Sequence, residues 1–182
     1  MLKPWETALV LSASSGVGTA AVQVAKNMVG ATVIATTSTD EKARMAAELG
    51  ADAVINYTTE DVTARVKELT GGRGADVVVD HVGSDAWPAA TAALAPGGRY
   101  GICGVTSGYR AELQMGMLFL KQQTILGVFT GRGGDLRHIV QMVERGVIRG
   151  VIHKTYPLDE AAKAHEDMEG RSFFGKLVLT VA

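Results

Sequence analysis

The sequence predicts an α/β fold, a doubly wound parallel sheet of about six strands followed by a short C-terminal extension. Three observations carry that prediction. Short apolar runs alternate with segments of helical spacing, and glycines or small polar residues mark the changeovers. The first changeover, "SASSGVG" (Ser12 to Gly18), joins the apolar run Ala8-Leu9-Val10-Leu11 to a helical stretch, where a parallel sheet of this class turns backbone N–H groups toward a ligand. Composition is the third: 182 residues that are 47% hydrophobic suffice for a core, and 22 glycines favour closely packed strand-turn-helix junctions.

The elements follow in order. Thr7 to Leu11 reads as a continuous apolar strand, after which Val17, Ala20, Ala21, Val24, Ala25 and Met28 recur at helical spacing. A β-branched strand, Thr32 to Thr36, precedes a helix that opens at Ser38-Thr39-Asp40-Glu41 and ends at Leu49-Gly50. Ser38 is the expected N-cap there, with Glu41 in the capping-box position. Ala53 to Asn56 is a short third strand, Glu60 to Leu69 an amphipathic helix stopped by Gly71-Gly72, and Asp76 to Asp80 a buried fourth strand. A helix from about Asp85 to Leu94 carries Pro88 in its first turn, where a missing N–H is harmless. Gly98 to Cys103 and Thr124 to Phe129 are strands five and six, joined through a helical stretch at Leu113 to Leu120. Helices at Asp135 to Arg145 and Asp159 to Met168, and strands at His153 to Leu158 and Gly175 to Val181, complete the chain. We assign residues 1–150 to the doubly wound domain and 151–182 to the extension.

Charge and composition narrow the functional classes. A net charge of -1 gives no broad field for nucleic acid or an acidic membrane, and no apolar run approaches the roughly 20 residues of a membrane span. Cys103, the single cysteine, allows no internal disulfide, which fits a reducing cytoplasm. His81, His138, His153 and His165 show no metal-ligand spacing, so no metal site is expected within the chain.

The turn after the first strand is the main chemical feature. Backbone N–H groups and the positive end of the following helix dipole suit a diphosphate, so Ser15, Gly16, Val17 and Gly18 are candidate cofactor-binding residues. Against G-x-G-x-x-G the chain offers Ala13-x-Ser15-x-x-Gly18 with an extra Gly16, and only the third glycine is kept. By itself the turn is also compatible with a tight, ligand-free junction. A Tyr-x-x-x-Lys pair is excluded, because Asp61, Gly104, Leu113 and Glu160 lie four beyond the tyrosines, and with it the short-chain dehydrogenases. Thr37 at the end of strand two is not the acid that a methyltransferase would place there.

Five ordered segments, "ALVLSASSGVGTAAVQVAK", "ELGADAVINYTTED", "GADVVVDHVG", "APGGRYGICGVTSG" and "FGKLVLT", cover nearly the whole chain. Together they resemble the medium-chain dehydrogenase/reductase superfamily, near its zinc-type alcohol dehydrogenase and quinone oxidoreductase branches. The resemblance implies a Rossmann domain with strand order 3-2-1-4-5-6 that holds NAD or NADP for hydride transfer at the nicotinamide. With no acid at Thr37, and a hydroxyl and a cation at Ser38 and Lys42, NADP is the expected cofactor and NAD the alternative. Asp40 and Glu41 read instead as residues that cap their helix and complement its dipole. By resemblance Lys42 pairs with the 2′-phosphate and Tyr57 borders it. His81, Val82, Cys103, Gly104 and Phe129 lie along the nicotinamide half, and Lys176 approaches the cofactor from the C-terminal strand. Cys103 itself is expected to be a small packed residue, since nothing adjacent would depress its pKa.

The resemblance also implies a GroES-like catalytic domain ahead of this region. The chain opens at "MLKPWET" beside the first strand, so that domain, with the substrate contacts and any zinc, is expected to lie outside it. Cofactor binding with little turnover is the expectation for the chain alone. A non-enzymatic nucleotide-binding or redox-sensing module, or an enoyl-reductase domain of a larger synthase, would use the same features. Strand six, "TILGVF", is an apolar edge through which a homodimer is expected, unless the C-terminal tail folds over it.

Overall fold

The computed structural model describes residues 1–181. Among them a six-stranded parallel sheet runs in the order β3-β2-β1-β4-β5-β6, the order that the resemblance implied. Its strands are β1 (Thr7–Val10), β2 (Thr32–Thr37), β3 (Ala53–Asn56), β4 (Ala75–Asp80), β5 (Leu94–Ile102) and β6 (Thr124–Gly127). The connecting helices are α1 (Gly16–Gln23), α2 (Asp40–Glu48), α3 (Val62–Leu69), α4 (Trp87–Ala92) and α5 (Met115–Leu120). After β6 come α6 (Gly133–Glu144), β7 (Ile152–Pro157), α7 (Ala161–Glu169) and β8 (Lys176–Thr180), and β7 pairs with β8 as a separate parallel ribbon.

The inner strands β1, β2 and β4 are mostly apolar and buried because both faces of the sheet are covered there. Along β1, Ala8 and Val10 join one core cluster with Val22, Val33 and Ala35. Leu9, with Leu11 just beyond the strand, joins the other, with Ile34, Ile55, Val78 and Tyr100. Chain direction into the site is set by buried polar groups. Asp80, fully buried, accepts the N–H groups of Val82 (2.7 Å) and Gly83 (3.1 Å) on one oxygen and the Tyr100 hydroxyl (2.9 Å) on the other. This fixes the turn that carries His81 out of β4.

Several boundaries differ from the sequence reading. The helix after β1 is not uniformly α: from Val24 to Val29 it widens into a π-helical turn closed by Gly30 at φ 80°. β5 begins at Leu94 rather than Gly98, because "APGG" is absorbed as an irregularity, with Ala75 opposite Leu94 but Val77 opposite Arg99. β6 stops at Gly127, two residues before Phe129. The tail does not fold over the edge of β6. It docks at the opposite end of the chain, with Phe174 buried in the cluster of Ala13 and Val22, and the Gly175 N–H donated to the Ser14 carbonyl (2.7 Å).

Candidate functional site

Strand order reverses between β1 and β4, and the crevice beyond their C-terminal ends is where this architecture places ligands. A cleft of 1250 Å³ opens there. It is lined from β1 and its turn by Ser12, Ser14 and Ser15, and from β2 and α2 by Thr36, Ser38 and Lys42. Tyr57 lies beyond β3, His81 and Val82 beyond β4, and Arg171 and Phe173 come from the extension.

The turn after β1 is held from below. Thr36 Oγ1 accepts the Ser12 N–H (3.0 Å), and the Ala13 N–H reaches the Thr36 carbonyl (2.8 Å), so β2 positions the turn. Ser15 is the N-cap of α1, its hydroxyl oxygen accepting the Gly18 N–H at 2.8 Å. A Cβ on Gly18 would overlap the Ser12 carbonyl and the Ala13 backbone, so only glycine lets the helix approach the strand this closely. A Cβ on Gly16 would instead overlap the Lys176 side chain, which lies across the first residue of α1. A cation over the positive end of a helix is unfavourable unless an anion joins them. The donor set therefore fits a diphosphate.

Ser15 also meets His81, with Oγ and Nε2 2.7 Å apart, a bridge across the switch point. His81 is buried, and burial, countered in part by Asp80, holds its pKa below the ordinary imidazole value. Its Nδ1 is buried without a hydrogen-bond partner among the described residues. Gly104 packs against the His81 backbone and Cβ, where a Cβ of its own would come within 3.0 Å of the His81 carbonyl.

At the far end of the cleft Thr37 is fully buried and carries no acid. The cap of α2 is Thr39, whose hydroxyl accepts the Lys42 N–H (3.2 Å), and not Ser38 as the sequence suggested. Ser38 is thereby freed to line the cleft. Lys42 Nζ donates to the Arg171 carbonyl (2.6 Å), and burial holds the ammonium pKa below its ordinary value against the opposing pull of Glu41. Two carboxylates line this end and both are engaged. Glu60 accepts the Asn56 N–H (2.8 Å), and Asp61 accepts the Ala64 N–H as the cap of α3 (2.8 Å).

The cleft thus gathers Ser15, Ser38, Lys42, Tyr57, His81 and Val82, while Gly16, Val17 and Gly18 form the helix start beside it. Cys103, Gly104, Phe129 and Lys176 are not among its lining. Phe129 is 94% exposed beyond the end of β6. Cys103 is exposed rather than packed, and its thiol donates to the Asp80 carbonyl (3.3 Å). Partial desolvation of the sulfur and the nearby Asp80 push the thiol pKa up, which lowers its thiolate fraction. Arg171, at φ 53°, is one of several cleft residues that sequence reasoning missed. Its one signal was the break in helical spacing at Gly170, and nothing local tied it to a site.

Residues 16–145 match the profile of the zinc-binding dehydrogenase family. The chain belongs to this family. It is 36% identical over 188 residues to a 2-haloacrylate reductase from a Burkholderia species, the match covering 98% of this chain and 56% of that protein. A crystal structure of an NAD-dependent alcohol dehydrogenase superposes with a TM-score of 0.93 at 43% identity, covering 99% of this chain and 52% of that one. The Escherichia coli quinone oxidoreductase complexed with NADPH superposes with a TM-score of 0.86 at 33% identity, covering 99% of this chain and 58% of that one. The chain thus spans a little over half the length of the relatives it matches. Members of the family are NAD(P)-dependent oxidoreductases, and this chain corresponds to part of one, the cofactor-binding domain of the medium-chain dehydrogenase/reductase superfamily.

The family name implies zinc, but this chain's own donors do not fit it. Among the described residues no three His, Cys, Asp or Glu side chains come together as a metal site. Among the same residues no helix is long and apolar enough to cross a membrane.

Proposed function

We propose that this chain is the NADP(H)-binding domain of an alcohol dehydrogenase or quinone oxidoreductase-like enzyme. That enzyme transfers hydride between nicotinamide and a small carbonyl, alcohol, quinone or enone. The observation that carries the reading is the start of α1 at the switch point, where the Gly18 close approach and the Lys176 side chain frame a seat for an anion. When bound, a nicotinamide dinucleotide supplies the hydride chemistry, and the chain's residues hold and orient it. Ser15, Gly16, Val17 and Gly18 seat the diphosphate, with Lys176 above. His81, Val82, Cys103, Gly104 and Phe129 belong to the nicotinamide side.

NADP is favoured over NAD by the residues at the adenosine end. Thr37 offers no carboxylate, Ser38 and Tyr57 offer hydroxyls, Lys42 and Arg171 offer two cations, and Glu60 and Asp61 are engaged with backbone N–H groups. Fluorescence titration with both reduced cofactors tests this. NADPH is expected to bind about tenfold tighter or more, the worth of one charge-assisted contact. Equal or tighter binding of NADH refutes the preference.

On its own the chain is expected to bind cofactor with little turnover, since it spans only a little over half the length of the relatives it matches. Substantial NADPH-dependent reduction of a quinone or aldehyde by the chain alone would overturn this. Leu126 on β6 and Val128 and Phe129 just beyond it expose apolar surface, and we assign a homodimer to that edge. Light scattering at micromolar concentration should give twice 19.1 kDa, and a monomeric mass rejects the dimer. The domain comprises residues 1–150, with 151–182 as an extension, and the lone cysteine fits a cytoplasmic location.

A further inference from the structure

We infer that His81 is a positioning residue for the diphosphate seat: it donates Nε2–H to the Ser15 hydroxyl oxygen, and so leaves the Ser15 O–H as the donor offered to an oxygen of the bound diphosphate. The inference rests on the dinucleotide reading and assigns distinct roles to two side chains within it.

A serine hydroxyl has two acceptor lone pairs and one proton. At Ser15 one lone pair is taken by the Gly18 N–H at 2.8 Å, and His81 Nε2 lies 2.7 Å away on a second direction. The direction of that second bond depends on the histidine tautomer, and the far side of the ring decides it. His81 is 8% exposed, and Nδ1 has no partner among the described residues. Were the Ser15 proton given to Nε2, the neutral ring would carry its own proton on Nδ1, as a buried N–H without an acceptor. Orphaned buried donors are rarer in native interiors than under-satisfied acceptors. With the proton on Nε2, the atom left alone is a bare nitrogen lone pair.

A doubly protonated ring is disfavoured further, because it buries a charge as well as the orphan N–H. Burial lowers the imidazole pKa accordingly, although Asp80 on the same strand opposes it. The other ionisable groups nearby do not alter the assignment. The Cys103 thiol just beyond β5 has its pKa raised and stays neutral, and the Lys176 ammonium, which lies against Gly16, would only disfavour a charged ring further. The ring is neutral with its proton on Nε2. Both lone pairs of the Ser15 oxygen are then occupied, and its proton has no acceptor among the described residues. Ser15 lines the cleft at the N-cap of α1, where an anion would complete it.

Two measurements test this. In the chain labelled with ¹⁵N-histidine, long-range ¹H–¹⁵N spectra should show His81 protonated on Nε2 and bare on Nδ1, with and without NADPH. In the second, NADPH affinity is measured for Ser15→Gly, His81→Phe and the double variant. Glycine is tolerated at an N-cap, so Ser15→Gly removes the hydroxyl with little effect on the helix. Ser15→Gly should bind NADPH about tenfold more weakly, the worth of a hydrogen bond to a charged group. His81→Phe should weaken binding about threefold more when Ser15 is present than when it is absent, because coupled residues are non-additive. Protonation at Nδ1, or an equal effect of His81→Phe in both backgrounds, overturns the inference while leaving the dinucleotide reading intact. Failure of the unaltered chain to bind NADPH refutes that reading, and this one with it. If His81→Phe does not fold, the tautomer in the unaltered chain decides alone.

Discussion

Replacing Gly18 by alanine is expected to destabilise the protein by about 2 kcal/mol. The new Cβ would overlap the Ser12 carbonyl oxygen and the Ala13 Cα, both backbone atoms in the turn, so neither can rotate aside. Overpacking of this kind costs about 1–3 kcal/mol. Retreat of α1 would also stretch the bond from the Gly18 N–H to Ser15, an N-cap contact worth about 1 kcal/mol. Against this, alanine gains about 1 kcal/mol of helix propensity over glycine. For a chain of this length 2 kcal/mol corresponds to a fall in Tm of roughly 4–8 °C. Urea unfolding at neutral pH measures it directly. Gly16→Ala is the control: its obstruction is the end of a flexible lysine, so its stability should stay within about 0.5 kcal/mol of the unaltered chain. Equal stability of Gly18→Ala and the unaltered chain, or equal damage by both variants, would refute the steric argument.

Tyr100→Phe leaves one oxygen of the buried Asp80 carboxylate without its donor, and should lower stability by about 2–3 kcal/mol in urea; a change under about 0.5 kcal/mol would show that this oxygen finds another partner. Acid should weaken the fold through two carboxylates at the other end of the strands. The Arg99 guanidinium holds Glu6 below the ordinary carboxylate range, and at Asp76 the upward push of burial is outweighed by Arg73 and the Thr7 N–H. Depressed carboxylates stabilise above their unfolded pKa and lose that contribution as pH falls through the folded value, so the urea midpoint should drop below about pH 4. Asp76→Asn should shrink that drop, and an unchanged pH profile in the variant would contradict the assignment. Arg171→Ala should weaken NADPH about tenfold while sparing NADH, and equal losses for both cofactors would remove Arg171 from the phosphate end.

The inner strands were legible because they carry enough branched apolar residues to be buried on two faces, as "DVVVD" in β4 does, whereas the strand order came from the family resemblance. The start of β5 was not, since "APGG" has the composition of a turn. Only pairing with β4 turns it into an irregular strand. At α2 two adjacent hydroxyl residues compete for one cap. Thr39 takes it by adopting extended backbone at φ −145°, ψ 155°, a choice composition does not encode. The glycine turn announced the site through local chemistry. Its partners were not announced locally: His81, 66 residues from Ser15, entered only through the family resemblance, and Arg171, 129 residues from Lys42, did not enter at all, because no period spans either distance. The position of Cys103 was likewise set by how β5 ends beside Asp80, which no local pattern reports.

Phe174 and Gly175 lock onto Ala13 and Ser14, which precede them by about 160 residues in the chain. A nascent chain emerging from the ribosome can therefore assemble its sheet while the bend beyond β1 still lacks one of its walls. That wall is in place only once residues 174 and 175 have been added.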